Sequence, residues 1–167
     1  MNELIRRQLT LFIPKMDAIN IEYIRHRYNP VQRKLIDSHV TLCREDEISD
    51  PERVMLNLEI LEAKRITIPF GQVRRFDNES GVLIPARSEN LDFHSLRRKI
   101  LAGIIISPRH LEPHITLMHP RNSTCTDEIF NDIKKTTFPS VITFDQISLI
   151  EQINGGPWRI LASYNLS

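Results

Sequence analysis

The feature that most constrains this chain is that it repeats itself. Shifted by 75 positions, His39-Val40-Thr41-Leu42 falls on His114-Ile115-Thr116-Leu117, Ile66 falls on Val141, and Gly81 falls on Gly156. Two copies are too few for a solenoid, which needs three or more stacked units. They fit two pseudo-symmetric lobes. No Gly/Ser-rich stretch separates the copies, so the lobes are expected to pack as one body over residues 1–167. One copy of the motif falls within about 8–76 and the other within about 81–165.

Each half reads strand, helix, His-x-Thr-Leu strand, helix, strand. Residues 8–14 alternate weakly and end in Pro14, which suits a strand. Residues 17–28 place Ile19, Tyr23 and Ile24 at helical spacing, and Asn29-Pro30 predicts a stop. Residues 38–43 alternate polar and apolar side chains, with His39 and Thr41 on one face and Val40 and Leu42 on the other. Ser49-Asp50-Pro51-Glu52 is a capping-box pattern that opens a helix to about 63, with Val54, Leu58 and Leu61 on one face. Residues 65–76 and 81–87 read as two strands around a turn, and 91–101 as a helix through Leu91, Leu96 and Ile100. Residues 112–118 form the second motif strand and 124–135 a helix. Residues 141–150 and 158–165 are two further strands around Asn154-Gly155-Gly156.

On an alternating strand the His and Thr of each motif share a face about 6–7 Å apart. A pseudo-two-fold would bring two such pairs into one cleft. A neutral imidazole can take a proton from a nucleophile, and a protonated one can give a proton to a leaving oxygen. Two Thr hydroxyls can donate to non-bridging phosphoryl oxygens. That layout suits in-line displacement at phosphorus and needs no metal.

With its paired His-x-Thr-Leu motifs, the chain resembles the two-histidine (HxTx) phosphoesterases, the LigT-like superfamily often labelled 2′-5′ RNA ligase or RNA cyclic phosphodiesterase. The resemblance covers nearly the whole chain in the order and spacing of elements. It implies an α+β bilobal fold, with two antiparallel sheets flanking a central cleft and helices outside. It implies metal-independent chemistry, without a cofactor, on nucleoside or RNA-terminal 2′,3′-cyclic phosphates or on 2′-5′ linkages. Carried over by motif position, His39 and His114 are the acid/base pair, with His39 the acid and His114 the base, and Thr41 and Thr116 bind phosphate. Family members often carry a basic residue two places after each motif. Arg44 fits that place, whereas the second copy has His119, followed by Pro120 and Arg121. His119 or Arg121 is therefore the candidate for the second phosphate or sugar contact.

Composition narrows the partners. The 22 Lys and Arg against 21 Asp and Glu leave a net charge of +1, which argues against a long groove for duplex DNA. A single nucleotide or an RNA terminus bearing a cyclic phosphate fits better. Acidic Glu45-Asp46-Glu47 beside the first motif is expected to repel an extended polyanion. Two cysteines make no disulfide framework. No apolar run spans a membrane, and the opening residues carry no apolar core, so a reduced, cytoplasmic, monomeric protein is expected. A zinc site using Cys43, on the His39 face by alternation, lacks ligand spacing. Arg74 or Arg75 could border the cleft, the run Arg97-Arg98-Lys99 reads as a solvated face, and Tyr23, Tyr28, Phe76 or Trp158 could stack a base. The alternatives to a phosphodiesterase are a non-catalytic RNA-end or nucleotide-binding module and a 2′-5′ RNA ligase.

Overall fold

The computed structural model describes residues 2–167. The first half runs β1 (Ile5–Phe12), α1 (Ile19–Tyr28), α2 (Pro30–Leu35), β2 (His39–Cys43), α3 (Pro51–Glu59), β3 (Ile66–Pro69) and β4 (Arg74–Arg75). The second runs β5 (Val82–Pro85), α4 (Leu91–Ile100), β6 (His114–Met118), α5 (Asp127–Lys134), β7 (Val141–Phe144), β8 (Gln146–Ile153) and β9 (Arg159–Asn165). This is the expected α+β architecture with two antiparallel sheets, of unequal size. Seven strands lie in the order β4-β5-β6-β2-β1-β8-β9, and β3 and β7 pair separately.

The repeat becomes a two-fold axis. At the centre of the large sheet β2 meets β6 through Val40 opposite Ile115, residues 75 positions apart. In the small sheet Ile66 faces Phe144 and Pro69 faces Val141, a register the same shift maps onto itself. Either side of the axis the large sheet reads β6-β5-β4 and β2-β1-β8. β4 ends the first half but extends the second half's strands, and β8 does the converse. Each half thus completes the other's sheet.

This exchange corrects two strand expectations. Residues 65–76 and 141–150 are each two strands, because the chain leaves the small sheet for the large one partway along. In the first run Pro69, which has no N–H to continue a ladder, ends β3 before β4 begins. In the second, only Asp145 separates β7 from β8.

The helices start where capping chemistry puts them. The Asp50 carboxylate accepts the Arg53 N–H at 3.1 Å to open α3, and Thr126 Oγ1 accepts the Ile129 N–H at 3.2 Å to open α5. The latter sets the first helical residue at Asp127, three positions after Thr124. Pro30 does not simply stop the first helix. It occupies the first turn of α2, where its missing N–H costs nothing. Val54 and Leu58 of α3 and Phe93, Leu96 and Ile100 of α4 are buried as core. In α1 the buried face is Ile21, Ile24 and Arg25, whereas Ile19 and Tyr23 are exposed, as is Leu91 at the start of α4. Among the described residues no helix is long and apolar enough to cross a membrane.

Candidate active site

Alternation on the two motif strands does what the sequence implies. Val40, Leu42, Ile115 and Leu117 are buried in the core, while His39, Thr41, His114 and Thr116 are half-buried on the opposite face. Carried one residue either way, the Val40–Ile115 register sets His39 beside Thr116 and Thr41 beside His114. The two histidines are then diagonal neighbours, about 7–8 Å apart at Cα in a regular sheet.

A matched pair of irregularities aims the next side chains. The β1–β2 register shifts between Leu9 and Thr10, opposite Cys43, and the β5–β6 register shifts between Val82 and Leu83, opposite Met118. A bulge reverses the alternation beyond it. Cys43 and Met118 therefore turn into the core, and Cys43 does not share the His39 face. Burial pushes its thiol up to about 12. The same reversal turns Arg44 and His119 outward. His39, Thr41, Arg44, His114, Thr116, His119 and Arg121 all line one cavity of about 480 Å³.

Each motif histidine is oriented the same way. His39 Nδ1 lies 2.8 Å from the Asp37 carbonyl oxygen, and His114 Nδ1 lies 3.1 Å from that of Glu112, its repeat counterpart. A carbonyl only accepts, so Nδ1 carries the hydrogen and Nε2 is left for the cavity. An aromatic edge supports each ring, Phe12 at 6.2 Å from His39 and Phe76 at 6.0 Å from His114. Burial lowers His39 to about 4, with Arg25 and His114 adding to the shift. Burial also lowers His114, helped by Arg44 and Arg74.

Residues that sequence reasoning missed complete the wall. Arg6 and Gln8 come from β1, Arg25 from α1 and Gln32 from α2. Arg6 and Gln8 are legible in hindsight as the polar positions in register with Thr10. Arg25 lies 2% exposed, donates to Glu22 Oε1 at 2.5 Å and to the Ile36 carbonyl at 2.7 Å, and so holds a cation near His39. Trp158, one of the aromatics considered for stacking, lines the cavity with the Arg6 guanidinium 5.3 Å from its ring centre. Arg74 borders a smaller pocket that shares His114 and Arg44.

Each member of the acidic run has a cationic partner. Glu45 pairs with Arg6 at 3.0 Å and Asp46 with Arg109 at 2.6 Å. Glu47 is buried, and its partner Arg97, expected on a solvated face, is 1% exposed. Glu47 Oε1 accepts the Arg44 backbone N–H at 2.9 Å, so this pair anchors the turn that presents Arg44. Among the described residues no cluster of three or more His, Cys, Asp or Glu side chains could hold a metal ion.

No family model and no curated protein matches the sequence. Solved structures do match in fold. Escherichia coli LigT complexed with 3′-AMP is 16% identical over 97% of this chain and 98% of that one, with a TM-score of 0.64. A crystal structure described as a phosphoesterase is also 16% identical over 97% and 98%, with a TM-score of 0.65. TT0787 of Thermus thermophilus is 18% identical over 96% and 97%, with a TM-score of 0.61. The chain has a LigT-like fold.

Proposed function

We propose that this protein is a metal-independent phosphodiesterase that hydrolyses nucleoside or RNA-terminal 2′,3′-cyclic phosphates, with 2′-5′ linkages as the related substrate. The observation that carries this reading is the two-fold pair His39 and His114, each with Nδ1 on a carbonyl and Nε2 left for a cavity it shares with Thr41, Thr116 and Arg44. Support comes from solved LigT structures that hold phosphate, 3′-AMP, ATP or NADP+ on the same fold. Trp158 in the cavity wall supplies a stacking surface for a base.

The proposed reaction is an in-line displacement. His114 Nε2 takes a proton from water as its oxygen bonds to phosphorus. The phosphorus–ribose oxygen bond breaks, and protonated His39 gives its proton to that oxygen. Thr41, Thr116 and Arg44 hold the non-bridging oxygens, whose charge grows in the transition state. Both imidazoles are depressed in the free protein, so the anionic substrate supplies the counter-charge that lets His39 hold its proton. Two-fold symmetry allows the roles to exchange for a substrate bound the other way round.

The test is hydrolysis of 2′,3′-cyclic nucleotides and cyclic-ended RNA in EDTA by wild type, His39→Ala and His114→Ala. Turnover that survives EDTA and is lost in both variants is expected, with each loss at least about a hundredfold. Turnover that needs a metal, or that survives both substitutions, refutes the proposal. Retained nucleotide binding without turnover in wild type points to the non-catalytic module.

A further inference from the structure

The three histidines of the cleft differ in what each Nδ1 faces. His39 and His114 face carbonyl oxygens, so Nε2 is the atom that gains or loses a proton. His119 Nδ1 instead accepts the Arg121 backbone N–H at 3.1 Å. An accepting nitrogen holds no hydrogen, so Nε2 holds it. Adding a proton to Nδ1 would set two N–H groups against each other and lose the bond.

The backbone of His119 is held as firmly as its ring. Its N–H donates to Asn29 Oδ1 at 2.7 Å, and its carbonyl accepts from Ser123 Oγ at 2.7 Å and from the Asn122 N–H at 3.2 Å. Asn29 is 1% exposed and donates in turn to Asn122 Oδ1 at 2.8 Å, and the Asn122 amide donates to Gln32 Oε1 at 2.8 Å. The junction between α1 and α2 thus fixes where His119 stands.

We propose that His119 is a permanently neutral hydrogen-bond donor to a substrate oxyanion through Nε2–H, taking the place in the second half of the cleft that cationic Arg44 takes in the first. It takes no part in the proton exchange of His39 and His114. This inference rests on the reading of the cavity as a phosphate site. The ionisable groups around His119 agree with it. Burial opposes a second proton, and so do Arg121 on the same turn, Arg6 on β1 and His114 on β6. A cleft with one cation fewer favours a singly charged diester over the doubly charged monoester that hydrolysis releases.

The experiment is nitrogen-15 NMR of the imidazoles from pH 5 to 8, with inorganic phosphate titrated in. His119 is expected in the Nε2–H form throughout, and His39 and His114 in the Nδ1–H form before phosphate is added, with phosphate shifting the His119 Nε2–H resonance. His119→Ala should weaken phosphate binding about tenfold or more, because a donor to a charged oxygen is lost. His119→Gln, whose amide nitrogen can stand near the place of Nε2, should stay within about threefold of wild type, and His119→Arg should bind phosphate more tightly. A second proton on His119 within that range, an Nδ1–H form, or phosphate affinity unchanged in His119→Ala overturns the proposal. Cyclic-nucleotide turnover is read separately. Absent turnover beside the expected NMR and phosphate results removes the phosphodiesterase reading and leaves the role of His119 standing.

Discussion

Replacing Arg97 with Met should destabilise the fold and disturb the cleft together. The Arg97 guanidinium donates four hydrogen bonds in the core, to the Leu42 carbonyl at 2.6 Å, to Glu47 Oε1 at 3.0 Å and Oε2 at 2.6 Å, and to the Arg109 carbonyl at 3.1 Å. Without it the Glu47 carboxylate, 4% exposed, keeps only the Arg44 N–H and a 3.5 Å contact with Arg109 Nε. Breaking a buried pair from one side costs about 3–5 kcal/mol. Arg97→Met/Glu47→Leu should recover only part of that loss, because it still leaves the Arg44 N–H and the Leu42 and Arg109 carbonyls without these partners, each hydrogen bond being worth about 1 kcal/mol.

The pH dependence gives the sign of the effect. Desolvation pushes the Glu47 carboxyl up, but hydrogen bonds from Arg97 and the Arg44 N–H outweigh it and hold the group below its usual value. In wild type this contribution is present above the ordinary carboxylate range and is lost as pH falls through the lowered value. In Arg97→Met the unpaired carboxyl is raised instead, so the deficit against wild type should shrink between pH 7 and 4. Urea unfolding followed by the single tryptophan, Trp158, measures both. A loss under about 1 kcal/mol, or a deficit independent of pH, refutes the role given to this pair.

Two further substitutions probe the cavity wall. Trp158→Ala should raise KM for a cyclic nucleotide about tenfold to a hundredfold, as loss of base stacking does, while kcat and inorganic phosphate affinity hold; titration calorimetry and steady-state kinetics separate the two effects. Gly81→Ala sets a Cβ 2.6 Å from Phe76 Cδ2 and 2.8 Å from the Met118 carbonyl oxygen. It should cost about 1–3 kcal/mol of stability. It should also lower kcat, because Phe76 supports the His114 ring; a variant with wild-type melting and kcat contradicts that contact.

Most of the candidate site was legible because repetition and alternation act locally. A period of two put His39 with Thr41 and His114 with Thr116, and the 75-residue shift put the two pairs together. Arg44 and His119 followed from motif position, though their aim depends on bulges that no local pattern announces. Arg25 was missed because Ile19 and Tyr23 suggested the wrong face of α1, while the buried stripe Ile21, Ile24, Arg25 carries a charge that only its partners Glu22 and the Ile36 carbonyl make tolerable. Arg97 looked like a surface residue for the same reason: its partner lies 50 positions away in sequence. Pairing at that distance, and the passage of a strand from one sheet to another, are properties of the assembled fold.

The shared acid–base role of His39 and His114 is read from the pH profile of kcat/KM in wild type and in the two single-histidine variants. It reports the free enzyme, where both imidazoles are depressed, so the wild-type bell should peak on the acid side of the ordinary histidine value of about 6.5. Rate is lost at low pH as the base is protonated and at high pH as the acid loses its proton. Residual activity of His39→Ala should keep only the rise with pH, and that of His114→Ala only the fall. A bell that persists unchanged in either variant, or a wild-type profile flat from pH 4 to 8, contradicts a shared acid–base role for the two histidines.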